Sequence, residues 1–305
     1  MAVLNFAERV CPVCAATDRS TLYADARFDP GRLDGMSFSS RKAPEGMHLR
    51  LLECGRCDIL YASPLPVTDD LTSAYREADY DSQREARFAA ETYARVLAGI
   101  VPDLPSRRGA VDIGAGDGAF MERLAAAGFE DIVGFEPSRS AIASARADVK
   151  PQIRPEPFDD SQLAPGAYSL VSCLQTIEHV PDPLGLCRSA AALLEPGGAI
   201  LIVCHNRKAL TAKVLRHRSP IFDIEHLQLF SPDGVRALLG RAGFERITVN
   251  RLVNRYPLGY WLRLAPGPAG VKAATAAALG RVRLDGLPLS VPAGNLVAVG
   301  HRQAP

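Results

Sequence analysis

Residues 110–119 read Ala-Val-Asp-Ile-Gly-Ala-Gly-Asp-Gly-Ala, an apolar run that ends at Asp112 and breaks into alternating glycines. Gly114, Gly116 and Gly118 lack the Cβ atoms that would hold a ligand away from the main chain. A helix starting there aims its first amide N–H groups at that ligand. The chemistry is capture of a nucleoside on bare backbone at a strand-to-helix turn. Alone the loop is ambiguous, because Gly114-Ala115-Gly116-Asp117-Gly118-Ala119 also satisfies the dinucleotide pattern G-x-G-x-x-G/A. Glu136 stands 18 residues beyond Gly118, where a carboxylate can accept hydrogen bonds from both hydroxyls of a ribose. Phe158-Asp159-Asp160 adds an acid for an adenine amino group beside an aromatic wall.

A second set has acid–base character. His179 lies in Gln175-Thr176-Ile177-Glu178-His179-Val180-Pro181-Asp182-Pro183. At the carboxyl edge of a sheet it either shuttles protons near neutral pH or packs a helix start against backbone. Glu225-His226 precedes a helix whose cap is Ser231-Pro232, so the pair either works above the pocket or caps that helix. His205-Asn206-Arg207 follows a strand and can also turn polar groups to the pocket, while Arg216, His217 and Arg218 form a basic spot open to a phosphate or to solvent.

Cysteines supply the third chemistry. Cys11-Pro-Val-Cys14 and Cys54-Gly-Arg-Cys57 are separated by 39 residues, and each pair can offer two thiolates from one knuckle. Together they fit one structural Cys₄ zinc site, with four reduced packing cysteines as the alternative. Cys173, Cys187 and Cys204 sit singly in apolar segments and read as buried packing residues. An odd total of seven fits a reducing compartment.

The elements that position these groups follow from periodicity. Residues 1–62 hold both cysteine pairs and form the expected zinc-binding module. Residues 63–105 are helix-like, with Tyr75, Tyr80, Phe88 and Tyr93 among charges, and read as a lid or linker. From residue 106 onward, strand patterns (109–114, 131–136, 152–154, 168–173, 198–204, 245–250, 295–301) alternate with helices (118–128, 138–148, 183–194, 231–242). That alternation predicts an α/β domain with a doubly wound parallel sheet. Insertions at 205–230 and 251–293 are expected to meet substrate. In the second, Asn254-Arg255-Tyr256-Pro257-Leu258-Gly259-Tyr260-Trp261-Leu262 can line an acceptor pocket, form a subunit contact or pack the core.

The 305 residues carry a formal net charge of +1, which gives no electrostatic reason for a nucleic-acid or membrane partner. No apolar stretch approaches the roughly 20 residues of a membrane span. The first ten residues lack the pattern of a secretory signal, so the expected location is cytoplasmic. A small-molecule partner is the expectation, and no spare acid cluster offers itself to magnesium.

Taken in order, the motifs over about residues 108–204 resemble the class I S-adenosylmethionine-dependent methyltransferases. The resemblance implies a Rossmann-like, seven-stranded sheet whose last strand runs antiparallel between the fifth and sixth. It implies S-adenosyl-L-methionine as co-substrate, with Asp112, Gly114, Ala115 and Gly116 at its methionine end. Glu136 would hold the ribose, Asp159 the adenine, and Gln175 and Thr176 the sulfonium, with Pro137 and Tyr80 completing the set. The cysteine module, the Tyr-rich segment and His179 with Glu225-His226 are further similar to C-methyltransferases of nucleotide-linked keto-sugars. By that resemblance His226 is the base, Glu225 and His179 orient it or hold the enolate oxygen, and Asp223 or Tyr80 assists. The chain departs from those enzymes at Phe222, where a hydroxyl-bearing aromatic is expected, and in having too little sequence after its last strand for their large C-terminal domain. The Asp-Pro-Pro-Tyr motif for methylating base amino groups is absent, against DNA or RNA as acceptor. The expected reaction is methyl transfer to carbon or oxygen of a small metabolite, such as a sugar nucleotide or natural-product intermediate. Its rivals are a nicotinamide-dependent oxidoreductase and a zinc-bearing interaction protein without catalysis.

Overall fold

The computed structural model describes residues 5–32, 37–38, 46–216, 219–265 and 267–304. Five short strands come first: β1 (Phe6–Ala7), β2 (Ser20–Ala24), β3 (Leu51–Cys54), β4 (Ile59–Ala62) and β5 (Leu65–Pro66). Two helices follow, α1 (Thr68–Glu77) and α2 (Gln83–Ile100). In α2 the buried positions Ala86, Ala89, Ala90, Tyr93, Leu97 and Ile100 recur at three- and four-residue steps, so one stripe faces the core.

The alternating region supplies β6 (Gly109–Ile113), α3 (Ala119–Ala126), β7 (Asp131–Phe135), α4 (Arg139–Ala143), β8 (Ile153–Arg154), β9 (Tyr168–Leu174), α5 (Pro183–Leu193) and β10 (Leu194–His205). Next come α6 (Leu210–Leu215), β11 (Gln228–Leu229), α7 (Pro232–Arg241), β12 (Phe244–Pro257), α8 (Leu258–Leu264), α9 (Ala269–Arg281) and β13 (Pro288–Arg302). Seven of the strands form one sheet in the order β12-β13-β10-β9-β6-β7-β8. β6 to β10 run parallel, and β13 is antiparallel to both β10 and β12, as the resemblance implied.

Both faces of this sheet are covered. Ile200, Ile202 and Cys204 pack with α5 and α7, whereas Leu201 and Val203 pack with α2 and α3. With both faces covered, every residue of β6 and β9 is buried, so these strands read as mostly apolar runs interrupted only by Asp112, Ser169 and Ser172. Cys173, Cys187 and Cys204 are each fully buried in that packing, as expected.

Two boundaries differ from expectation. α4 ends at Ala143 instead of 148, because the chain turns there with the Ser144 amide bonded back to Ala141 and Ser140 carbonyls. The segment 251–293 is only partly an insertion. β12 and β13 continue pairing outward from the sheet as far as Pro257↔Pro288, with α8 and α9 carried between them. Among the described residues no helix is long and apolar enough to cross a membrane.

Candidate active site

β6 lies between β7 and β9, so the chain departs to opposite sides of the sheet after it. Such a reversal opens a crevice at the carboxyl ends of the strands. Here the crevice is a cavity of about 860 Å³. All ten residues expected to hold the nucleoside, and all three acid–base candidates, line it.

The glycine loop is built for close approach. Gly114 has φ +76°, and a Cβ there would lie 2.2 Å from Thr176 Oγ1, so neither the backbone nor the neighbour tolerates a side chain. The Gly114 and Ala115 amides donate to Phe135 O at 2.9 and 3.0 Å, stitching the loop to the end of β7. Glu136 follows directly. Its Oε2 accepts from Gly116 N at 2.9 Å and its Oε1 from Ser138 N at 2.8 Å. Each oxygen keeps a lone pair for a ligand, and the carboxylate is already oriented. Burial raises the Glu136 carboxyl above its ordinary range, with those two amides opposing the rise.

Asp112, at the end of β6, is 2% exposed and accepts from Ser172 Oγ at 2.7 Å. Burial pushes its carboxyl up to about 7. Gln175 adopts φ +57°, a left-handed conformation that a non-glycine residue holds only when its surroundings impose it. Its backbone N–H donates to Val203 O at 2.7 Å, while its side-chain Nε2 is buried with no partner among the described residues. An orphaned amide on the wall of a cavity fits a missing ligand. Asp159 is exposed and already caps a short turn by accepting from Ser161 N at 2.9 Å.

The acid–base end is a cluster of three imidazoles. The His226 ring lies 4.9 Å from the rings of both His179 and His205. His226 Nδ1 donates to Ile221 O at 2.9 Å, which leaves Nε2 as its basic nitrogen. His179 Nδ1 is 3.0 Å from the Tyr75 hydroxyl, 3.1 Å from Glu225 O and 3.7 Å from Glu225 Oε2. Burial lowers the His179 pKa, against the opposing charge of Glu178, and so favours the neutral ring. His205 Nδ1 pairs with Glu178 Oε1 at 2.9 Å, and the same oxygen takes the His205 backbone N–H at 2.6 Å. Burial alone would raise the fully buried Glu178 carboxyl, but the hydrogen bonds and charge of His205 outweigh it and hold it low. His205 turns to the pocket as its position after a strand allowed, whereas Glu178 and Tyr75 had no assigned role in the sequence. Glu178 is adjacent to His179 and His205 ends a strand, so position pointed to both; nothing in the helical stretch singled out Tyr75.

The N-terminal strands hold this cluster in place. β11 pairs with β4, making the last strand of a sheet ordered β11-β4-β3-β2, and β11 begins two residues after His226. Arg9 ties the same region together. It donates to Ala62 O at 2.8 Å, Pro181 O at 3.0 Å and Gln228 Oε1 at 3.0 Å, and also to Leu227 O. Gln228 in turn donates to Ile177 O and Val180 O at 2.7 and 2.8 Å. Arg207 does not face the pocket as its position allowed; it pairs with Glu53 of β3 and Asp58 of the turn before β4. His217 and Arg218 lie outside the described residues.

At the far end of the same strands, Cys11, Cys14, Cys54 and Cys57 bring their sulfurs within 4.8 Å of one another, with Cys14 and Cys54 at 3.6 Å. Zinc–sulfur bonds of about 2.3 Å in a tetrahedron place sulfurs about 3.8 Å apart, so this donor set fits that ion.

A doubly wound sheet with an inverted seventh strand, a bare glycine loop and a carboxylate latched to it defines the class I S-adenosylmethionine-dependent methyltransferases. A family profile described as a methyltransferase domain matches residues 80–249, more than half of the chain, and the chain belongs to that family. A ubiquinone biosynthesis O-methyltransferase of Bordetella avium is 34% identical over 106 residues, covering 33% of this chain and 44% of that protein. Its counterpart from Ralstonia nicotianae is 28% identical over 168 residues, covering 48% of this chain and 69% of the relative. The chain therefore spans less than half the length of the Bordetella relative. Among solved structures, the YcgJ protein of Bacillus subtilis superposes with a TM-score of 0.50 at 14% identity, over 70% of this chain and 99% of that one. That likeness speaks for the fold. The family match sets the nicotinamide-dependent oxidoreductase aside.

Proposed function

We propose that the protein transfers the methyl group of S-adenosylmethionine to carbon or oxygen of a small metabolite. The observation that carries this reading is one continuous cavity joining the latched Glu136 to the His179, Glu225 and His226 cluster. When bound, the donor supplies a methyl group on a sulfonium that is already a strong electrophile. The protein's part is to align, to exclude water and to remove a proton from a weak acceptor. Glu136 takes the ribose hydroxyls, and Asp112 faces the positively charged methionine end. Gln175 and Thr176 line the path of the methyl group, Asp159 meets the adenine, and Pro137 and Tyr80 close the nucleoside site. His226 is the base through Nε2, 7% exposed and flanked by two other imidazoles. Glu225 and His179 orient it or hold a developing oxyanion. The test is release of S-adenosylhomocysteine with a panel of phenols, ketones and sugars; no turnover with any of them, despite donor binding, would favour the non-catalytic reading.

The Asp112 carboxyl near 7 gives this reading a pH signature. A cationic donor prefers the ionised form, so below about pH 7 binding must expel a proton. Donor affinity should fall by about tenfold per pH unit as pH drops below 7. Asp112→Asn should bind more weakly with a flat profile. The sign for stability is opposite. A raised carboxyl stabilises the ligand-free fold fully below the unfolded value of 3.8, and that contribution is lost as pH rises through about 7. Calorimetry from pH 5.5 to 8 checks the first point; identical profiles for wild type and variant would refute it.

The cysteine cluster is read as a structural zinc site within an N-terminal module spanning 1–62. Four thiolates would fill the coordination sphere, leaving the ion no open position for catalysis. Elemental analysis should find about one zinc per chain, falling well below one in Cys54→Ser. Because β11 sits on this sheet, the variant should also lose turnover. Unchanged zinc content in Cys54→Ser would exclude the site.

A further inference from the structure

The strands β12 and β13, where they run past the edge of the sheet, make one wall of the cavity whose chemistry differs from the rest. Buried positions alternate along β12, so Leu252, Asn254 and Tyr256 share a face. Asn254 is 3% exposed and Asn295 9% exposed; both side chains line the cavity, and neither makes a hydrogen bond among the described residues. Register places Asn295 directly opposite His205, so the wall adjoins the imidazole cluster. Tyr256 and Tyr260 rings lie 4.3 Å apart and Trp261 meets Tyr256 at 5.5 Å. The indole is fixed by its Nε1–H donating to Leu289 O at 2.9 Å.

The wall carries no charge toward the cavity. Arg263 stacks on Tyr260 at 5.5 Å but pairs with Glu85 at 2.6 Å and does not line the cavity. Across the whole cavity, nine carboxylates and no Lys or Arg stand among the described lining residues. Among the described lining residues only the imidazoles of His179, His205 and His226 could meet an anionic acceptor, and the nine carboxylates oppose it. Buried amides with open hydrogen-bonding capacity, beside aromatic faces, suit a flat polar ring.

We propose that this wall is the acceptor subsite and that it takes an uncharged, ring-bearing molecule without phosphate or carboxylate. The inference deepens the methyl-transfer reading and departs from the sugar-nucleotide expectation. It relies on that reading only for the molecule's role as acceptor.

Trp261 is the chain's only tryptophan, so its emission reports this wall directly. The probes are 4-methylcatechol (neutral), protocatechuate (anionic) and thymidine diphosphate glucose, titrated with and without S-adenosylhomocysteine. The neutral catechol should quench with a Kd at least about tenfold below that of the carboxylate, with no response to the nucleotide sugar. Asn254→Leu should weaken the catechol by about fivefold or more while leaving calorimetric binding of S-adenosylhomocysteine unchanged. Equal or tighter binding of either anion, or no quenching by the catechol, would overturn the proposal. Failure of S-adenosylhomocysteine to bind would instead strike the donor reading, since the ranking without it tests the wall alone.

Discussion

Glu136→Ala should weaken S-adenosylhomocysteine binding by about 10²–10⁴-fold. Two hydrogen bonds from ribose hydroxyls to a carboxylate would be lost, each contributing about 1.5–3 kcal/mol. The variant also releases the Gly116 amide, which now rests on Glu136 Oε2 at 2.9 Å, so the glycine loop loses its latch. Glu136→Gln separates the two effects. Its carbonyl oxygen can still accept one backbone N–H, but its amide brings no charge. An intermediate loss is expected for Gln and the full loss for Ala. Calorimetry on both variants is the measurement, and a change below about threefold for Ala would remove the ribose role.

His226→Ala should lower kcat by about 10²–10⁴-fold with an acceptor whose reacting group is protonated at neutral pH. Donor affinity should stay nearly constant, because His226 belongs to the imidazole cluster and not to the glycine loop. The tertiary setting supports a base here. Its Nδ1–H is committed to Ile221 O at 2.9 Å, which leaves Nε2 to take the proton. Glu225→Gln should cost less, since the Glu225 carboxylate acts beside His179 at 3.7 Å instead of on the reacting atom. If the acceptor is already ionised, the His226 effect should shrink as pH rises past the acceptor's own pKa. A kcat within about threefold of wild type for a protonated acceptor would exclude His226 as the base.

Much of the nucleoside half was legible because it is local. A strand, three glycines and an acid at the end of the next strand lie within 27 residues, from Ala110 to Glu136, and burial on both faces writes the central strands as mostly apolar runs. The order of the motifs carried the inverted last strand only through resemblance, since nothing in residues 288–302 states which neighbours they pair with. The extended reach of β12 and β13 was hidden for a similar reason. Small and aromatic residues near Tyr256 fit a loop, a core or a strand equally, until pairing to Pro288 selects the strand.

The chain's own order of residues determined the glycine loop, the Glu136 position, the two cysteine pairs and the alternation of strand and helix. These rest on backbone sterics and side-chain periodicity, which act over a few residues. Only the tertiary structure decided that Tyr75, His179, His205, Glu225 and His226 share one cluster, that β11 ties it to the cysteine-bearing sheet, and that Asn254 and Asn295 face the same cavity. Those contacts join residues tens to hundreds of positions apart. Burial and register settle such distances, and no local pattern encodes either.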